Sequence, residues 1–202
     1  MWIKVCGLGD AAGVDAALEA RADAIGWVFA ESPRRVLPAH AAQLAAAARG
    51  RCAIVAVTLH PSQSLVDEIL KVLRPDILQS DAQDLIELRL PRQLQRLPVL
   101  RDSDAVNGDQ IEKGVPPRVL FEGRRSGHGT TADWSQAERI ARRTELILAG
   151  GLHAHNIAEA IRQVRPFGVD VSSGVESAPG LKSPAMIAEF VAAARAAAEV
   201  RA

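Results

Sequence analysis

Two side chains in this sequence stand where each could move a proton. Cys6 closes the apolar run WIKVC and is followed by Gly7, and Glu122 closes RVLF and is followed by Gly123. A lone cysteine in such a run is most often a small core hydrophobe. A carboxylate at the end of an apolar strand is costly to bury unpaired and so is expected to point into a mouth. If both runs are parallel strands ending at one mouth, thiolate and carboxylic acid can serve as base and acid there. Gly7 is expected to leave space in front of the sulfur. The second cysteine, Cys52, lies in another apolar run without CxxC spacing, so the pair indicates neither a disulfide framework nor a zinc site.

Three segments have the small residues that let a backbone approach an anion. GVDVSSGVESAPG, residues 168 to 180, starts as a strand and breaks into Ser172-Ser173-Gly174, with Asp170 just before the break. ILAGGLHAHNIAEAI places Gly150 and Gly151 at the end of another apolar run, just ahead of a helical pattern. Both corners read equally as ordinary strand-to-helix turns, because turn chemistry favours the same residues. Their backbone N–H groups, uncrowded by long side chains, also suit a phosphate. The third segment, EGRRSGHGTTADW at 122 to 134, reads as a surface loop or as a glycine-containing cover over a substrate. Its His128 is a solvent-exposed side chain on one reading and a catalytic base on the other.

These groups must be carried by regular elements, and the sequence alternates short β-branched runs with alanine-rich helical patterns. Strands are expected near 2–8, 24–30, 53–59, 76–80, 98–101, 118–122, 145–149 and 168–173. Helices are expected at 10–21, 38–49, 62–73, 82–96, 133–143, 154–165 and 183–200, with a weak polar one around 103–113 and Asp133 as an N-cap. Regular βα alternation means a parallel sheet, closed as a (β/α)8 TIM barrel or open and doubly wound. The count of strands favours closure, and so do their ends. These read Cys6, Ser32 with Arg34, Gln79, Arg101, Glu122, Gly150-Gly151, and Asp170 with Ser172-Ser173-Gly174, the polar set a barrel gathers at its C-terminal mouth. At 202 residues the chain is expected to be one compact α/β domain spanning 1–202, with short loops. In that frame the corners at 150–151 and 173–174 follow strands seven and eight, where barrels commonly bind phosphate.

Bulk properties exclude other classes. Twenty-four basic residues offset twenty-four acidic ones, which argues against a nucleic-acid or membrane-surface protein. MWIKVCGLGD has no apolar h-region or cleavage site, and no stretch approaches the roughly 18 apolar residues of a membrane span. A cytoplasmic, metal-free protein is expected, monomeric or homodimeric, acting on a small phosphorylated molecule.

The chain resembles the phosphoribosylanthranilate isomerase family, (β/α)8 enzymes of tryptophan biosynthesis. The resemblance is carried by KVCGL (4–8), DAIGWVFAESPRRV (23–36), SGHGTTADW (126–134), LAGGLHAHNIAEAI (148–161) and RPFGVDVSSGVESAPGLK (165–182), spread over all eight units. It implies an Amadori rearrangement of N-(5′-phosphoribosyl)anthranilate to 1-(o-carboxyphenylamino)-1-deoxyribulose 5-phosphate, without a cofactor. It further implies that Cys6 is the general base at C2′ and Glu122 the general acid at the furanose ring oxygen. Arg34 corresponds to the arginine that pairs with the anthranilate carboxylate, leaving Arg35 at the surface. Gln79 aligns as a substrate contact and Asp170 as the contact to the sugar hydroxyls. Gly150, Gly151, Ser173 and Gly174 fall on the phosphate loops.

The pattern departs from the family at two places. Glu122 stands where the family has aspartate, and the extra methylene can displace a proton donor by about 1 Å, a shift that can cost on the order of 100-fold in rate. A closer backbone approach at Gly123 would compensate. QSDA at 79–82 replaces the usual QLHG, so Asp81 and Ala82 do not reproduce the His-Gly pair. Two other readings remain beside this one. The first is a related phosphoribosyl aldose–ketose isomerase, from which Cys6 departs because that family has aspartate at strand one. The second is a catalytically silent barrel that binds a phosphorylated metabolite.

Overall fold

Successive side chains of a strand point to opposite faces, and here both faces are apolar along most of the strands. The computed structural model describes residues 1–101, 117–123 and 132–200. Its main strands are β1 (Trp2–Cys6), β2 (Ala24–Val28), β3 (Ala53–Val57), β4 (Ile77–Asp81), β5 (Gln95–Arg101), β6 (Arg118–Glu122), β7 (Glu145–Leu148) and β8 (Gly168–Val171). Each pairs in parallel with the next, and β8 pairs with β1, so the sheet closes. The closing ladder sets Trp2, Ile3, Lys4 and Val5 opposite Gly168, Val169, Asp170 and Val171. That ladder rules out the open, doubly wound sheet.

Closure gives the chain two cores. Ala24, Val55, Ile77, Leu97, Val99, Leu120, Ile147 and Ala149 fill the barrel interior. Their alternate neighbours, among them Ile3, Val5, Ile25, Trp27, Leu78, Phe121, Leu146 and Val169, pack outward against the helices in a larger cluster. This is the two-sided burial expected of parallel strands.

The outer ring contains the helices Ala11–Glu19, Pro38–Ala45, Gln63–Val72, Ala82–Glu87, Trp134–Ala141, Ile157–Val164 and Pro184–Glu199. Several start on a side-chain cap. Asp10 accepts from Gly13 N, Ser62 from Leu65 N, Asp133 from Ser135 N and Gln136 N, and Ser183 from Met186 N. Pro184 occupies the first turn of the last helix, where its missing N–H costs nothing. At the opposite end of the barrel two aspartates tie strand starts together. Asp23 accepts from Ile3 N at 2.8 Å, and Asp76 accepts from Ile54 N at 2.8 Å.

All eight strands lie where the sequence puts them, and the differences have local causes. The helix expected over 82–96 ends at Glu87, since Leu88 is already extended and Leu90 precedes Pro91, a position that disfavours helix. The residues so released let β5 begin at Gln95, paired with Ile77. Beyond β8 the chain makes a 3-10 turn, Ser173–Val175, and a small antiparallel pair, β9 (Glu176–Ala178) with β10 (Leu181–Lys182), where the sequence reads only as loop. The weak helix around 103–113 and His128 lie outside the described residues. Among the described residues no helix is long and apolar enough to cross a membrane.

Leu120 is fully buried in the inner cluster. Leu120→Ala is expected to lower unfolding free energy by about 2–5 kcal/mol in urea denaturation. Val72→Ala, on the exposed side of its helix, should change it by no more than about 0.5 kcal/mol.

Candidate active site

Period two in β1 sends Lys4 and Cys6 into the barrel together. Gly26 on the neighbouring strand makes room for both: a Cβ there would lie 3.1 Å from Cys6 Sγ and 3.5 Å from Lys4 Nζ. Lys4 is wholly buried and donates to Asp170 Oδ1 across the closing ladder at 2.7 Å. Burial alone would push the Lys4 ammonium down. The Asp170 carboxylate and then Cys6 outweigh it and hold the group above its usual value, so the side chain stays charged. For the Cys6 thiol burial dominates and pushes the pKa up, against the pull of Lys4 and Lys182. At neutral pH the resting group is therefore the thiol.

The segment after β8 builds the wall above this pair. Ser172 Oγ donates to Cys6 O at 3.1 Å, and Lys182 on β10 donates to Ser172 O at 2.9 Å and to Glu176 Oε1 at 2.7 Å. Glu176 is also gripped by the fork of Arg34, with Nε to Oε1 and Nη2 to Oε2 both at 2.7 Å. Burial would raise the Glu176 carboxyl, but the bonds from Arg34 and Lys182 overcome this and hold it below its ordinary value. Burial lowers Lys182 despite Glu176. Arg34 reaches Glu176 by passing over Gly7, where a Cβ would stand 2.6 Å from Arg34 Cδ. The space expected in front of the thiol is thus occupied by the arginine stem. Arg35 pairs with Glu31 at the surface.

Gly150 and Gly151, after β7, adopt φ of +88° and +63°, left-handed values that glycine reaches without strain. Asn156 locks this turn, donating to Gly151 O at 2.9 Å and accepting from His153 N at 2.9 Å. Gly174 lies against the same turn. A Cβ on it would fall 1.9 Å from Leu152 O, so the need for glycine there is backbone contact between the two loops. Ser173 and Gly174 both belong to the 3-10 turn.

Across the mouth, Gln79 is buried on β4, and its Oε1 has no hydrogen-bond partner among the described residues. Beyond it lies a row of charges. Glu122 Oε1 is 3.3 Å from Arg101 Nη2, Arg101 Nη1 is 2.5 Å from Asp81 Oδ1, and His60 Nδ1 is 3.0 Å from Asp84 Oδ1. Among the described residues no cluster of three or more His, Cys, Asp or Glu side chains could hold a metal ion.

The structure thus gathers Cys6, Asp170, Arg34, Gln79, Glu122 and both glycine corners at the C-terminal ends of the strands. It adds Lys4, Glu176 and Lys182, which residue types alone did not single out. Lys4 was legible as Cys6 minus two, on the same face of one strand. Glu176 and Lys182 sit inside the motif 165–182, but their pairing depends on the small β9–β10 turn.

Comparison with known proteins agrees with this geometry. The sequence pattern of a family described as N-(5′-phosphoribosyl)anthranilate (PRA) isomerase matches residues 3–193. N-(5′-phosphoribosyl)anthranilate isomerase of Mesorhizobium japonicum is 39% identical over 99% of this chain and 98% of its own. The solved structure of TrpF from Jonesia denitrificans superposes with a TM-score of 0.82 at 35% identity, covering 98% of each chain. A phosphoribosyl anthranilate isomerase solved with reduced 1-(o-carboxyphenylamino)-1-deoxyribulose 5-phosphate shares the fold, with a TM-score of 0.80 at 24% identity over 97% of this chain and 99% of that one.

Because its folded pKa is depressed, Glu176 contributes stability that is full above the ordinary value of 4.5 and is lost as pH falls through the folded value. Glu176→Gln lacks that titration and leaves Lys182 without a carboxylate partner. Its urea midpoint should lie below wild type at neutral pH, and the gap should narrow steadily as pH is lowered past 4.5.

Proposed function

The chain belongs to the N-(5′-phosphoribosyl)anthranilate isomerase family, the isomerases of tryptophan biosynthesis, and we propose how its own side chains carry out the rearrangement. The observation that supports the reading most directly is the Cys6 thiol beside the charged Lys4, inside the mouth that Glu122 also borders. Glu122, as carboxylic acid, gives its proton to the furanose ring oxygen while the anthranilate nitrogen supplies electrons to C1′. The ring C–O bond breaks and a Schiff base forms. Cys6, as thiolate, removes the proton from C2′, and the electron pair left behind gives the enolamine. Protonation at C1′ and loss of the proton from the C2′ hydroxyl then yield the ketone. Only protons are relocated, so the chemistry needs no oxidant, reductant or cofactor.

Asp170 can reach the sugar hydroxyls only from its bond to Lys4, which fixes where its oxygens point. Gln79 Oε1 supplies an acceptor for a substrate donor. Arg34, its plane set by Glu176, meets the anthranilate carboxylate, for which a guanidinium fork is better matched than an ammonium. The turns at Gly150-Gly151 and Ser173-Gly174 receive the 5′-phosphate on backbone N–H groups.

In the resting site burial favours the thiol and the Arg101 cation favours the Glu122 carboxylate. The working pair is thiolate and acid. It carries the same number of protons as the resting pair, with one proton relocated, so a bell-shaped pH profile is expected in which Glu122 sets the acid limb and Cys6 the alkaline limb.

Loss of anthranilate fluorescence from freshly formed phosphoribosylanthranilate measures the reaction. Cys6→Ser should keep its circular dichroism and lose at least about 100-fold in kcat, since a hydroxyl is a far weaker base than a thiolate. Glu122→Gln should bind substrate with little change in KM and lose a similar factor in kcat, because an amide cannot deliver the proton. Near-normal turnover in either variant removes that residue from its role.

A further inference from the structure

At the ends of three adjacent strands, side chains of alternating sign stand in a row. Arg101, at the end of β5, bridges Asp81 on β4 at 2.5 Å and Glu122 on β6 at 3.3 Å. The three side chains are 17%, 18% and 15% exposed, so water screens them only weakly. Register fixes their order. Arg101 stands opposite Glu122, and Asp81 stands opposite Val99, two residues back along β5. The far end of the row is braced as well. His60 Nε2 lies 3.9 Å from Asp81, while its Nδ1 and backbone N–H face Asp84 at 3.0 and 2.9 Å. Asp84 also accepts from Ser80 Oγ at 2.6 Å.

Asp81 and Glu122, on the strands either side of β5, are both partners of one guanidinium. We propose that Arg101 is a positioning residue: it sets the Glu122 carboxylate, one methylene longer than aspartate, at the proton-donating position, while Asp81 holds the guanidinium from the other side. The two carboxylates then act through one cation. This rests on Glu122 being the acid.

The physical need follows from geometry. Glutamate has one more rotatable bond than aspartate, and a misplacement of about 1 Å can cost on the order of 100-fold in rate. A planar cation fixed between carboxylates on neighbouring strands removes that freedom. The same cation makes Glu122 harder to protonate. Positioning and charge therefore predict opposite effects when Arg101 is removed, which makes them separable.

The test compares Arg101→Met and Arg101→Lys in the wild-type protein and in Glu122→Asp. Arg101→Met should lower kcat about tenfold or more while KM stays within about threefold. The acid limb of kcat/KM should move to higher pH, because the acid now takes up its proton more readily. In Glu122→Asp the same replacement should cost less than about threefold, since the shorter side chain does not need the clamp. Arg101→Lys keeps the charge without the fork and should lose kcat with little movement of the acid limb, which decides the matter if Arg101→Met fails to fold. The proposal is overturned if kcat is unchanged or raised, if the loss falls in KM alone, or if it is equally large in both backgrounds. Normal turnover in Glu122→Gln would instead defeat the acid assignment itself. An inactive Glu122→Gln beside a fully active Arg101→Met would defeat only the positioning role.

Discussion

The buried pair of Lys4 and Asp170 is the constraint around which the rest of the molecule is arranged. It joins the first and last strands of the barrel across the seam that closes it, 166 residues apart in sequence. Two opposite charges withdrawn from water hold together only when geometry is good and further bonds are available, and removing one partner of such a pair typically costs about 3–5 kcal/mol. The surroundings supply what it needs. Gly26 leaves room for the ammonium, Cys6 stands next to it, and the main chain of β1 and β8 fixes the separation. A barrel interior filled entirely with branched aliphatic residues would need no such arrangement. Here the interior holds this charged pair beside the apolar inner cluster, with Lys4 paired in register with Ala24 of that cluster.

The mouth divides into two electrostatic halves. On the β1–β8 side Lys4, Lys182 and Arg34 face Asp170 and Glu176, and the geometry is locked by short bonds and by glycine contacts. On the β4–β6 side Arg101 is the cation between Asp81 and Glu122. In the proposed mechanism the base and the phosphate turns belong to the first half and the acid to the second, so that a furanose bridging them would present C2′ to one wall and its ring oxygen to the other. Cys52, by contrast, lies away from both halves, and burial pushes its thiol up to about 11, leaving it a passive side chain.

Much of this was legible in the sequence, and the exceptions have physical reasons. All eight strands could be read because β-branched runs separated by capped helices leave little choice of period, and Cys6, Arg34, Gln79, Glu122 and Asp170 each stand at or just beyond a strand end. The helix after β4 was overestimated because the apolar pattern continues past Glu87, while the backbone limits near Pro91 are what stop it. The corner after β8 is legible as a candidate anion turn, but the strand pair that follows it is not, because β9 and β10 are too short to show alternation. Its importance lies in Glu176 and Lys182, whose roles come from a contact with Arg34 on a loop that is remote in sequence. Gly7 was assigned open space and instead lies under the stem of that arginine, a substitution of one residue's volume for another's absence that no local pattern encodes.

The contact between Gly174 and Leu152 O has a consequence for descent. Because a methyl group at residue 174 would strike the main chain of the other loop at Leu152, a side chain there requires both loops to move together. A lineage drifting toward a new substrate would find that corner closed to single changes. The opposite rim is built differently: there Asp81, Arg101 and Glu122 meet through long side chains, which a compensating pair of exchanges could replace without moving main chain.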